Sequence, residues 1–111
     1  MYLYGASGHG KVIKEILAAQ GIVVKAFVDD DDTIHQLCGI PVLHHADGLQ
    51  PIIVSIGINK TRKNIVERLF CQFGVAIHPS AVVSPTATIG EGSVIMPGAI
   101  INADVVIENT V

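Results

Sequence analysis

Apolar residues change their spacing once along this chain, near residue 76. Before that point, short apolar runs alternate with a helical period. "MYLY" opens as a short strand and stops at a glycine-rich turn. From Lys11 to Ala19, the residues Val12, Ile13, Ile16 and Leu17 fall on one helical face, with Gly21 placed to close the helix. "IVVKAFV" (22–28) is β-branched and predicts a second strand. "GIPVL" (39–43) predicts a third, expected at a sheet edge because Pro41 has no N–H to donate. "PIIVSIG" (51–57) is apolar on both faces, as a buried parallel strand is. "NKTRKNIVERLFCQFG" then predicts a helix with Ile65, Val66, Leu69, Phe70 and Phe73 inward and Gly74 as its stop. This order predicts an α/β fold, a small Rossmann-like parallel sheet with helices on its faces, over residues 1–76.

Beyond it the period becomes six. Ile77, Val83, Ile89, Ile95, Ile101 and Ile107 follow one another at that interval, and four residues after each stands Ala81, Ala87, Ser93, Ala99, Val105 or Val111. Gly90, Gly92, Gly98, Asn102 and Asn109 supply turn residues between them. Neither a helix nor a hairpin keeps this period. A triangular parallel β-helix does, each hexapeptide forming one side and a corner. Three hexapeptides make a coil, so 77–94 is one coil and 95–111 nearly a second. Such solenoids bury their core by stacking about three or more units. Two coils ending on the apolar "VIENTV" would leave an open end. The expectation is a longer protein, truncated here, or a partner over that end.

Charge narrows the function classes. The net charge is -3, and all seven Lys and Arg lie in residues 1–76. Residues 77–111 carry Glu91, Asp104 and Glu108 and no basic side chain. No basic patch suits nucleic acid or anionic lipid. No apolar run approaches the roughly 18 residues of a membrane span, and the N-terminus lacks the basic region of a signal peptide. Cys38 and Cys71 match no metal spacing and read as buried, reduced thiols of a cytoplasmic protein.

The candidate chemistry begins at "GASGHG". Its pattern is G-x-x-G-x-G (Gly5, Gly8, Gly10), not the dinucleotide pattern G-x-G-x-x-G. Both let backbone approach a pyrophosphate at the positive end of a helix. His9 stands between two of the glycines, so its ring can project from the turn. Asp29 lies 19 residues after Gly10, near the roughly 20-residue offset at which an acid meets ribose hydroxyls in such folds. Gly57 ends the fourth strand, at the sheet edge where ligands of open α/β sheets bind. His44 and His45 are adjacent on an extended segment, point opposite ways and read as surface loop, so no metal site is expected. His78 precedes Pro79 and reads as a corner residue. Lys60, Arg62 and Lys63 open the second long helix at the wrong end for its dipole, and read as a solvated face, the alternative being a phosphate or the coenzyme nearby.

A β–GASGHG–α start, a small α/β unit, and hexapeptides opening with "IHPSAVVSPTATIGEGSVIMPGAII" form a specific combination. Over all 111 residues it resembles the sugar O-/N-acyltransferases of the sialic acid O-acetyltransferase family, those acting on UDP-linked 4-amino sugars above all. The resemblance implies a nucleotide-sugar-binding α/β domain followed by a left-handed β-helix that trimerises and holds acetyl-CoA between subunits. It places Ser7, Gly8, His9, Asp29, Asp30 and Gly57 on the nucleotide sugar. It also implies a catalytic histidine on a later coil, beyond Val111, so no catalytic residue is assigned within the chain. The expected activity is acetyl transfer from acetyl-CoA to an amino or hydroxyl group of a nucleotide-linked sugar or sialic acid, without metal. The alternatives are a non-catalytic nucleotide-sugar-binding hexapeptide protein and an NAD-binding domain. The outward residues Val82, Val94, Ile100 and Val106 are apolar, and they lead us to expect a homotrimer.

Overall fold

The computed structural model describes residues 1–109. Val111, assigned above to the small-residue register, lies outside them together with Thr110. The first strand, β1 (Tyr2–Tyr4), leads through a glycine turn into helix α1 (Gly8–Ala19). The helix starts three residues earlier than its apolar period, because the first turn is held by backbone rather than by packing. It buries Gly10, Ile13, Ile16 and Leu17, but Val12, expected inward, is exposed. Its end is a Schellman motif: Ile22 N–H donates to Leu17 O and Gly21 N–H to Ala18 O, with Gly21 at φ +79.

Strand β2 is shorter than the apolar run that predicted it, spanning Ala26–Val28; Val23 is exposed. Then come β3 (Gln36–Leu37), β4 (Ile40–Leu43), β5 (Ile52–Val54) and helix α2 (Asn59–Arg68). The sheet order is β3-β4-β2-β1-β5. All pairings are parallel except β3 with β4. The sheet is therefore mixed, and the strand of Pro41 is not at the edge, because β3 covers it. Leu37 and Ile40 flank a two-residue turn in which Cys38 and Gly39 both have positive φ, at 53 and 74. That is the twist a tight hairpin demands, and it leaves Cys38, expected buried, exposed at the turn, while Cys71 is half-buried.

Helix α2 also departs from its pattern. It ends at Arg68, Leu69 is extended, and Phe70, expected inward, is 100% exposed. The chain returns along β5 instead. Ile52 N–H donates to Gln72 O, Gly74 N–H donates to Ile52 O, and Phe73 packs on the second core cluster. Sheet pairing there outweighs the continuing helical period. The two helices cover opposite faces of the sheet. Ile13, Ile16 and Leu17 pack with Leu3, Phe27 and Ile53, whereas Ile65 and Val66 pack with Tyr4, Val28 and Val54.

Six two-residue strands follow: β6 (Ala76–Ile77), β7 (Val82–Val83), β8 (Thr88–Ile89), β9 (Val94–Ile95), β10 (Ile100–Ile101) and β11 (Val106–Ile107). They pair in parallel as β6 with β9, β7 with β10 and β8 with β11, so Ala76 meets Val94, 18 residues later. That offset is three hexapeptides. Between strands the chain turns through i to i+3 bonds, as from Ala81 N–H to His78 O and from Ala99 N–H to Met96 O. Corner hydroxyls serve the layer above: Gly98 N–H donates to Ser80 Oγ and Asp104 N–H to Thr86 Oγ1. His78 caps the first corner, its Nδ1 accepting from Ser80 N–H. Val94 is a correction to the outward stripe. It packs against the first core cluster beside the buried Ala76, while Val82, Ile100 and Val106 are exposed.

Candidate functional site

Strand order locates the site. Helix α1 leaves β1 over one sheet face, and α2 leaves the adjacent β5 over the other. Between β1 and β5 the connections diverge, opening a crevice at the carboxyl ends of the strands where ligands of open α/β sheets bind. The β1–α1 turn (residues 5–7) forms one wall and the β5–α2 turn (residues 55–58) the other. The run "PIIVSIG" reads as apolar on both faces, a pattern that hides the role of Ser55 within it. Ser55 is fully buried, and its Oγ lies 2.9 Å from Tyr4 O and 3.0 Å from Gly5 O, a hydroxyl clamp between the two walls. A lone polar residue in an apolar run was the available signal.

The glycines divide by what surrounds them. Gly5 has φ +121, and a Cβ there would stand 2.9 Å from Ser55 O. A Cβ on Gly10 would stand 2.4 Å from Gly5 O and 3.2 Å from the Phe27 ring. Both glycines are demanded by the fold. A Cβ on Gly8 or on Gly57 would meet nothing within 4 Å. Neither glycine is required by the packing of the chain itself.

Gly8 is the first residue of α1, and Ser7 precedes it as N-cap with extended backbone and no side-chain capping bond. The first N–H groups of a helix have no intrahelical acceptor. Here they face the crevice edge uncapped, at the positive end of the dipole. His9 is exposed on the first turn. Helix α2 is also uncapped by a side chain, and Lys60, Arg62 and Lys63 near its start are exposed or half-buried.

The acids after β2 play separate parts. Asp29 braces the glycine turn, its Oδ2 accepting from Ala6 N–H at 2.9 Å and its Oδ1 from Asp31 N–H at 2.9 Å. Asp30 is exposed, accepts from the Tyr4 hydroxyl and lies 3.5 Å from the Arg68 guanidinium. Burial and then the Asp30 hydrogen bond raise the Tyr4 pKa above its ordinary value, so the phenol remains a donor at neutral pH. Asp31 closes a turn on Thr33, whose hydroxyl and N–H hold its carboxyl below the usual range. Thus the structure brings Ser7, Gly8, His9, Asp29 and Asp30 to the mouth of β1 and β2, with Gly57 across the crevice.

Two concavities lie away from the glycine turn. One of about 380 Å³ opens at the far end of α1 beside Ala18, Val24 and Ile40. The other, about 310 Å³, lies between the β4–β5 loop and the end of α2, beside Arg68 and Phe70. Among the described residues, no His, Cys, Asp and Glu cluster could hold a metal ion, and no helix is long and apolar enough to cross a membrane.

A glycine turn into a helix without a side-chain cap, at the switch point of an α/β sheet, is continued by parallel ladders of eighteen-residue offset, the spacing of three hexapeptides. The chain belongs to the family described as the PglD N-terminal domain, which matches residues 1–69. It is 40% identical over 107 residues to the UDP-N-acetylbacillosamine N-acetyltransferase of Bacillus subtilis, covering 85% of this chain and 50% of that protein. A crystal structure of a mutant perosamine N-acetyltransferase from Caulobacter crescentus, in complex with CoA and GDP-perosamine, is 38% identical with a TM-score of 0.88. That match covers 98% of this chain and 57% of the other. The acetyltransferase domain of PglB from Neisseria gonorrhoeae, in complex with acetyl coenzyme A, is 33% identical with a TM-score of 0.67, over 98% of this chain and 64% of that one. The chain spans about half the length of the curated relative it matches.

Proposed function

We propose that the chain forms the nucleotide-sugar side of an acetyl-CoA-dependent N-acetyltransferase, acting on the amino group of a nucleotide-linked amino sugar. The observation that carries this reading is the uncapped α1 N-terminus beneath Gly8, where open space remains over a position that the fold itself does not require to be glycine. The named relatives support it: all three are acetyltransferases, one acting on a UDP-linked and one complexed with a GDP-linked sugar. They favour an amine over a hydroxyl acceptor and leave the base undetermined between uracil and guanine.

In this reading the N–H groups of Gly8 and His9 hold the pyrophosphate, as a helix N-terminus holds anions. Asp30 accepts from nucleoside hydroxyl or N–H donors, and its charge disfavours a further phosphate. Asp29 acts by fixing the turn through Ala6 N–H. Gly57 lets the sugar pass close to backbone. The ladders of residues 76–107 begin a left-handed β-helix, whose exposed Val82, Ile100 and Val106 meet neighbouring subunits of a homotrimer. We assign 1–76 to the nucleotide-sugar domain and 77–111 to the β-helix. Acetyl-CoA binds between subunits, and none of the histidines at 9, 35, 44, 45 and 78 is assigned as the general base. Calorimetric titration with a UDP- and a GDP-linked amino sugar tests the reading. Saturable binding to the wild type, weakened by Asp30→Ala, is expected. Equal affinity in both proteins removes the acid from the site.

A further inference from the structure

The Asp30 carboxylate is exposed, yet two side chains from distant parts of the chain hold it. The Tyr4 hydroxyl donates to Oδ1 from β1, and the Arg68 guanidinium lies 3.5 Å from Oδ2 at the end of α2. Arg68 also reaches the Tyr4 oxygen at 3.5 Å, closing a three-residue ring. Both side chains of the ion pair are more than half exposed, at 59% and 62%. Such an exposed pair contributes little to folding stability. What it does supply is geometry. Tyr4 is joined to the glycine turn on one side and clamped by Ser55 through its carbonyl on the other. The ring therefore sets Asp30 at a fixed place relative to the uncapped helix start. Each carboxylate oxygen accepts about two hydrogen bonds, so one direction on each remains for a ligand. Arg68 also offsets one of four consecutive acids, Asp29 to Asp32, whose charge opposes an incoming diphosphate.

We infer that Tyr4 and Arg68 are positioning residues that aim the Asp30 carboxylate at the nucleoside of the ligand and keep the acidic mouth open to a diphosphate. This rests on the nucleotide-sugar reading above. Neither residue touches the ligand; both act through Asp30.

The test is a double-mutant cycle read by calorimetry, with UDP, GDP and inorganic pyrophosphate as probes. Tyr4→Phe and Arg68→Ala each weaken the preferred nucleotide about fivefold, a surface hydrogen bond or ion pair's worth. In an Asp30→Asn background neither has a further effect. Arg68→Lys recovers most of the loss, and pyrophosphate, lacking the nucleoside, shows no loss with Tyr4→Phe. The ultraviolet titration of Tyr4 moves to lower pH in Asp30→Asn. Arg68 is exposed, so its variants fold. Effects that add to those of Asp30→Asn, or single variants that bind like the wild type, overturn the inference while leaving the nucleotide-sugar reading intact. A wild type that binds no nucleotide overturns both.

Discussion

Replacing Gly8 and Gly10 separately by Ala distinguishes what the glycine turn does for the fold from what it does for a ligand. At Gly10 the new methyl would stand 2.4 Å from Gly5 O, a backbone atom tied to Ser55, and 3.2 Å from the buried Phe27 ring. Neither neighbour can swing aside. Overpacking of this kind costs about 1–3 kcal/mol, and the backbone clash puts Gly10→Ala at the upper end. At roughly 4 °C per kcal/mol for a domain of this size, the melting temperature falls by about 10 °C. At Gly8 the methyl meets nothing within 4 Å. Alanine there gains about 0.5 kcal/mol of helix preference, so the melting temperature holds or rises slightly. Binding should respond in the opposite sense. A methyl over the uncapped helix start displaces an anion from at least one charge-assisted hydrogen bond, worth about 1.5–3 kcal/mol. Gly8→Ala should therefore lose about tenfold or more in affinity for a nucleoside diphosphate while remaining fully folded. Differential scanning fluorimetry and calorimetry on the same preparations read both effects. A Gly8→Ala protein with wild-type affinity would refute the anion site, and a Gly10→Ala protein with wild-type melting would refute the packing argument.

Three other outcomes follow from the same geometry. Ser55→Ala removes the buried clamp between Tyr4 O and Gly5 O and should cost about 1–2 kcal/mol, measured by urea unfolding. The Tyr4 pKa is raised in the folded state, so its contribution to stability is complete below the unfolded value near 10 and is lost as pH rises through the folded value; Tyr4→Phe should flatten that alkaline limb, and an unchanged limb would assign it elsewhere. Ile100→Glu places charge on the exposed apolar face beside Val82 and should convert the proposed trimer to monomers by light scattering, with a wild-type monomer contradicting the interface.

Much of this architecture is legible in residue order, for identifiable reasons. The α1 face shows because Ile13, Ile16 and Leu17 need a buried side and nothing else competes for them. The hexapeptide period shows because each inward aliphatic residue repeats the same local environment, and the observed offset of 18 from Ala76 to Val94 is three of its units. Strand β3 escaped because a two-residue hairpin usually announces itself with Asn-Gly or Asp-Gly, and here Cys38 takes the positive φ. The end of α2 escaped because Leu69, Phe70 and Phe73 continue a helical period, whereas pairing with Ile52 pulls Phe73 into an extended return. The candidate site divides the same way. Glycine spacing and the acid offset single out the glycine turn and Asp29, which the fold joins through Ala6 N–H. That Asp29 braces Ala6, and that Tyr4 and Arg68 converge on Asp30, depends on residues 23 to 64 positions apart and has no local signature.

The central claim is that a nucleotide-linked sugar occupies the crevice between the glycine turn and the β5–α2 turn. Amide chemical-shift mapping by NMR during titration with a UDP- or GDP-linked amino sugar tests it most directly. Saturable shifts concentrated at Ser7 to Gly10, Asp29, Asp30 and Gly57 are expected. Shifts gathered instead around Ala18, Val24 and Ile40 at the far end of α1, or none with either ligand, would contradict it.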